Sequence, residues 1–252
     1  MIEEIKKHRY FCIIKIKSED YHIENEIVVK YKLAVGKQVD NDLWKRIVSE
    51  SKFFYYDRMA KNKLKKLLTV KELEIYLLTL NASKQEIDDL IAKYLKYGYL
   101  NDENYAKSYI ELRKKREGKT VIKDQLLKKG IIQEVIGKAL SLYNEEEIVN
   151  QIIEKEISKD IKISKIAFKN KIISSLLRKG FNRDIVYNCI EENTKNLSVN
   201  EQELIKKEYQ KLFIKYQKKK QGYELKTLIK TKLYKQGYKL DVINEVIDNE
   251  SV

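Results

Sequence analysis

The chain has 252 residues, carries 52 Lys and Arg against 38 Asp and Glu for a formal net charge of +14, and contains no proline. Its apolar runs are only a few residues long, too short to span a bilayer, and MIEEIKKHRY lacks the apolar stretch of a signal peptide, so a cytoplasmic location is expected. Two lone cysteines, Cys12 and Cys189, give neither a disulfide framework nor a metal-ligand spacing and read as packing residues.

The first elements read as strands. RYFCIIKIK at 9–17 and NEIVVKYKLAVGK at 25–37 are rich in β-branched and aromatic residues, and the polar SEDYHIEN between them suits a connection. A short β-hairpin is expected, packed on a helix that begins near Asn41 and carries Leu43, Trp44 and Ile47, because an isolated hairpin is marginal in water.

From there the chain repeats itself. LLTLNASKQEIDDLI, LLKKGIIQEVIGKAL, LLRKGFNRDIVYNCI and LYKQGYKLDVINEVI are centred on Asn81, Gly130, Gly180 and Gly237, at spacings of 49, 50 and 57 residues. Eight residues before each centre stand Leu73, Ile122, Ile172 and Ile229; four before it, Leu77, Leu126, Leu176 and Leu233; three before it, Leu78, Leu127, Leu177 and Tyr234. Six after it are Ile87, Ile136, Val186 and Ile243, and ten after it Ile91, Leu140, Ile190 and Ile247. Offsets of four keep residues on one helix face, and a Gly or Asn between two such halves supplies the left-handed stop of the first helix. A third amphipathic stretch precedes each pair, near 53–68, 102–117, 145–160 and 200–221, and Thr69 with Glu72, Ser83 with Glu86 and Ser198 with Glu201 have the form of capping boxes. The expected fold is all-α, an elongated tandem array of three-helix modules with the hairpin as its N-terminal cap. The divisions fall at 1–52, 53–100, 101–144, 145–196 and 197–252.

A catalytic reading finds little to stand on. His8 and His22 are the only histidines, and no phosphate-cradling loop, nucleophile elbow or HExxH occurs. GKTVIKD at 118–124 contains Gly-Lys-Thr, but Lys114 stands where a P-loop needs its first Gly. No enzyme activity, cofactor or metal site is expected.

Charge supplies the positive signal. Basic residues cluster at Lys61, Lys63, Lys65 and Lys66; at Arg113, Lys114, Lys115, Arg116, Lys119 and Lys123; at Lys169, Lys171, Arg178 and Lys179; and at Lys218, Lys219, Lys220, Lys226, Lys230 and Lys232. Lysine-rich helices also keep a repeat protein soluble. Repetition of the clusters nonetheless points to a surface that tracks phosphates, where several contacts add through counterion release. Tyrosines beside the clusters, such as Tyr105, Tyr109, Tyr209 and Tyr216, offer faces on which unpaired bases could stack, although a helical Tyr more often packs its ring.

The segment YGYLNDENYAKSYIELRKKREGKTVIKDQLLKKGI, from Tyr97 to Ile131, closely resembles the central signature of RecX regulatory proteins, with Gly98, Leu100, Asn101, Asp102, Ala106, Arg113 and Gly118 in order. LLRKGFNRDIV is similar to the Gly-Phe module of that family. The resemblance implies a modulator, usually an inhibitor, of the RecA recombinase in DNA repair and the SOS response. Such a protein lodges in the groove of the RecA filament on single-stranded DNA, and some relatives bind DNA directly. The family's basic positions carry over to Arg113, Lys115, Arg116 and Lys119 and to Arg178 and Lys179; the clusters add Lys123, Lys169 and Lys171. In the first module Lys66, Leu67, Leu68 and Thr69 replace an Arg-x-Arg-Ser/Thr step, so the cap is kept and the arginines are not. The expected partners are RecA, the RecA–ssDNA filament and single- or double-stranded DNA, with no membrane and a monomeric protein. The alternative is a general nucleic-acid-binding helical-repeat protein without RecA specificity.

Overall fold

The computed structural model describes residues 1–249, so the last three residues of the fourth expected module, 250–252, lie outside the described residues. Three strands, β1 (Glu4–Lys7), β2 (Phe11–Ile16) and β3 (Glu19–Glu24), form an antiparallel sheet in chain order. Ile5 lies opposite Ile14, and Cys12 opposite Ile23. Lys17 and Ser18 both have positive φ, 52° and 66°, and make the two-residue turn whose twist matches paired strands. That turn reverses the chain early. SEDYHIEN therefore supplies β3 instead of a connection, and the second expected strand starts as a helix, α1 (Asn25–Lys30). Burial explains the change: Ile27 is fully buried while Val29 is 76% exposed, a contrast that strand alternation would not give. Ile2, Cys12, Ile14, Ile23, Ile27, Leu33 and Ile47 form the core beneath the sheet.

The remaining helices are α2 (Asn41–Lys63), α3 (Val70–Thr79), α4 (Lys84–Lys96), α5 (Asp102–Arg113), α6 (Lys119–Lys128), α7 (Gln133–Ser141), α8 (Glu145–Ile157), α9 (Lys165–Arg178), α10 (Arg183–Thr194), α11 (Glu201–Tyr216), α12 (Gly222–Lys235) and α13 (Leu240–Asn249). The helix expected near Asn41 and the first part of the stretch expected at 53–68 are one continuous helix, α2, capped by Asp40 and ending at Lys63. The chain divides into two compact units, Met1–Ala106 with Leu126–Ile136 and Lys107–Gln125 with Gly137–Val252.

Each expected helix stop is a left-handed residue, with φ of 62° at Asn81, 85° at Gly130, 79° at Gly180 and 86° at Gly237. The amide of the next residue then bonds back to the carbonyl of Leu77, Leu126, Leu176 or Leu233, which closes the first helix in the same way four times. Residues eight and four before the stop and six after it are buried in every module. The row three before it is not core: Leu78 is 53% exposed, Leu127 39% and Tyr234 59%, and Leu177 is half-buried. Thr69 with Glu72 and Ser83 with Glu86 form complete capping boxes. Ser198 with Glu201 does not; Asn200 caps α11, and Glu201 is engaged elsewhere.

Glu201 belongs to a joint that occurs three times. At the start of α3, Thr69 Oγ1 donates to the Lys129 carbonyl at 2.8 Å and the Val70 amide donates to Asp102 at 3.0 Å. At the start of α6, the Gly118 amide donates to the Lys179 carbonyl at 2.8 Å and the Lys119 amide donates to Glu145 at 2.8 Å. At the start of α9, Ser164 Oγ donates to the Gln236 carbonyl at 2.7 Å and the Lys165 amide donates to Glu201 at 2.9 Å. Each time, the opening of one module's middle helix uses two donors. One reaches the carbonyl just before the next module's turn glycine, and the other a carboxylate near the start of that module's first helix. Helix openings carry amides without intrahelical acceptors, so the neighbouring module completes them. Each bond contributes about 1 kcal/mol net, and more is lost if one partner is left buried and unmatched.

Two glycines make the middle joint possible. A Cβ on Gly118 would stand 2.2 Å from the Gly180 carbonyl oxygen, and one on Gly180 would stand 2.5 Å from Val121 Cγ2 at a positive φ. Gly118→Ala should therefore destabilise the protein by about 2 kcal/mol or more. Gly137→Ala, inside α7 with open space around it and no positive φ, should stabilise by about 0.5–1 kcal/mol. Urea denaturation of the two variants checks both signs.

In the first unit, Asp57 of α2 holds α4. Its nearly buried carboxylate accepts from Lys61 at 2.8 Å, Lys93 at 2.7 Å and the Tyr94 hydroxyl at 2.7 Å. Burial pushes this carboxyl up, but the hydrogen bonds from Lys61, Lys93 and Tyr94 outweigh it and hold the pKa below the usual aspartate value. A depressed folded-state pKa gives stability that is present above the ordinary carboxylate range and lost as pH falls through the folded-state value. Asp57→Asn should cost about 2 kcal/mol near neutral pH. In denaturation curves that deficit should shrink in acid.

Candidate functional site

All nine basic residues singled out in the sequence belong to the second unit. The turn after α5 brings most of them together. Arg113 ends α5, and the amides of Arg116 and Glu117 fold back onto its carbonyl at 2.7 and 2.9 Å. Tyr143, 4% exposed, donates from its hydroxyl to the carbonyls of Lys114 at 2.9 Å and Glu117 at 3.3 Å. Burial, and then the charge of Glu145, push the Tyr143 phenol pKa up, so it remains a protonated donor at neutral pH. Glu145, itself buried, fixes the Lys119 amide.

The Gly118 bond to Lys179 then sets this turn against the C-terminal end of α9, where Arg178 and Lys179 stand exposed. A helix C-terminus favours cations, and Arg178 Nε also bonds the Ser174 carbonyl at 3.3 Å. Lys115, Arg116, Arg178 and Lys179 are thus exposed, braced through the backbone and without an ion pair among the described residues. Lys119 is half-buried with its ammonium 5.6 Å from the Tyr143 ring centre, and Lys123 follows one turn later on the same helix face. Lys171 is exposed on α9, two turns before Arg178.

Two members are partly neutralised. Arg113 pairs with Glu117 at 3.2 Å, and Lys169 pairs with Glu191 at 2.7 Å. Lys114, next to Arg113 in sequence, pairs with Glu111 at 2.7 Å. Gly-Lys-Thr at 118–120 opens α6, and its first two amides are consumed by Lys179 and Glu145. Leu127, 39% exposed, and Leu177, half-buried, leave the core although the apolar row three before the stop runs through every module. Helix geometry held the signal, since the position three before the stop lies about 100° around the helix from the position four before it.

The signature residues sort by role. Gly98 takes a φ of 74°, Leu100 and Ala106 are buried, Asn101 Oδ1 accepts from the Asn104 amide, Asp102 closes the first joint and Gly118 the second. Asp102 has its pKa raised, by burial first and also by the charge of Glu72, against the Val70 amide bond that lowers it. Arg113 alone among the seven is a surface cation.

These features define a basic helical-repeat protein whose modules are joined cap to turn. Residues 101–140 match the family model described as RecX, second three-helix domain. Regulatory protein RecX of Streptococcus sanguinis (strain SK36) is 30% identical over 230 residues, covering 88% of each chain. That of Bacillus subtilis (strain 168) is 27% identical over 237 residues, 91% of this chain and 89% of its own. The crystal structure of RecX from Lactobacillus salivarius is similar at a TM-score of 0.51 and 34% identity, over 56% of this chain and 95% of that one. Another crystal structure, of a regulatory protein RecX, shares the fold at a TM-score of 0.56 and 18% identity, over 76% of this chain and 98% of that one. The chain belongs to the RecX family of regulatory proteins. No helix among the described residues is long and apolar enough to cross a membrane.

Proposed function

We propose that this chain regulates the RecA recombinase by binding RecA and the RecA–ssDNA filament, hindering filament extension, ATP hydrolysis and strand exchange in the cytoplasm. The observation that carries the reading is the braced basic turn, Arg113 to Lys119, within the segment that matches the family model. A cationic loop held by Tyr143, Glu145 and Lys179 loses little conformational entropy when it meets phosphates. A nucleoprotein filament offers phosphates and protein acceptors together, so individually weak contacts along a repeat add through effective concentration.

The surplus of charge favours a second reading, a general nucleic-acid-binding protein, in which naked DNA is bound as tightly as RecA-coated DNA. Reversal of Arg113, Lys115 and Arg116 to Glu separates them. The triple variant should keep its helical circular dichroism, lose tenfold or more in affinity for RecA–ssDNA filaments, and show a flatter salt dependence by about 1 for each phosphate contact removed. Wild-type affinity of the variant for filaments would remove this turn from the interface. Equal binding of the wild type to bare and RecA-coated DNA would favour the general binder.

A further inference from the structure

The fourth module repeats the basic positions of the second and adds something to them. Measured from the turn glycine, Lys226 occupies the position of Lys119 and Lys169, and Lys230 that of Lys123. Arg116 and Leu127 of the second module are replaced by Tyr223 and Tyr234. Both tyrosines face solvent, Tyr223 at 84% exposure and Tyr234 at 59%. Tyrosines at helical surfaces usually bury their rings, as Tyr209 on α11 does in this same module at 5% exposure.

Tyr223, Thr227, Lys230 and Tyr234 follow one another at intervals of four, three and four residues along α12, so they share one face, with Lys226 at its edge. The two rings are separated by about 16 Å along the helix axis. Thr227 and Thr231 turn their hydroxyl protons inward, to the carbonyls of Tyr223 and Thr227. Lys226 and Lys230 make no ion pair among the described residues, and the single carboxylate of α12, Glu224, is paired with Lys220.

We infer that this face of α12 is a contact for single-stranded nucleic acid. Tyr223 and Tyr234 stack on unpaired bases, and Lys226 and Lys230 meet the intervening phosphates. The reason for choosing this partner is chemical. Paired bases hide their faces, so a duplex would use the lysines and gain little from two exposed rings, whereas a single strand uses both. The absence of a carboxylate within the face leaves its charge available to a polyanion. The inference extends the reading of a phosphate-tracking surface to a module outside the nine residues described above, and it does not depend on RecA.

The test uses the full-length protein and labelled oligo(dT), with no recombinase present. Y223A/Y234A should bind more weakly by at least tenfold, at an unchanged salt slope. Y223F/Y234F should retain the wild-type affinity because the rings remain. K226E/K230E should weaken binding and lower the salt slope by about 2. Duplex DNA of the same length should be bound equally by wild type and Y223A/Y234A. Wild-type affinity of Y223A/Y234A for oligo(dT), or an equal loss on oligo(dT) and duplex, would overturn the assignment. Since RecA is absent, either outcome leaves the filament reading to its own experiment.

Discussion

The constraint on which the second unit and the first both depend is the joint between consecutive modules. A helix that starts at a surface can leave its first amides to water, but α3, α6 and α9 start against another module, where they must find protein acceptors. Thr69 and Ser164 solve this with one hydroxyl that accepts from its own helix and donates across the joint. Gly118 has no hydroxyl, and its backbone amide makes the crossing bond in their place. The acceptor is always the carbonyl before the turn glycine, so the residue that stops one helix also presents the docking point for another.

This arrangement ties the candidate site to the packing. Charges on free lysine side chains gain little from a defined position, but the cationic turn from Arg113 to Lys119 is fixed through its backbone, by Tyr143 from one side and by the α9 terminus from the other. The contacts that hold the modules together also hold the cations in register with Arg178 and Lys179. In the signature segment most residues serve this framework. That division explains why Gly98, Leu100, Asp102 and Gly118 identify the fold and how little they say directly about what is bound.

Much of the helical part was legible because its cause is local. A left-handed stop, an apolar row with offsets of four and a Thr or Ser followed by Glu each depend on residues close in sequence, and Asn81, Gly180, Leu176 and Thr69 behave as their types dictate. Two local readings failed for identifiable reasons. The β-branched run Ile27, Val28, Val29 suggested a strand, but the early turn at Lys17 and Ser18 had already used SEDYHIEN to complete the sheet. Glu201 looked like a capping-box partner, yet a distant amide, that of Lys165, claims its carboxylate. The candidate site was legible only as composition. Ion pairing of Lys169 with Glu191, and the bracing of the turn by Tyr143, arise from residues 22 to 29 positions apart in sequence that no periodicity connects.

The most direct test of the regulatory account is the rate of ATP hydrolysis by RecA on single-stranded DNA, with this protein added below stoichiometry before or after filaments form. The account predicts suppression by amounts far smaller than one molecule per RecA protomer, since a contact within the filament or at its growing end affects many protomers. An unchanged rate, alongside tight binding to bare DNA, would contradict it.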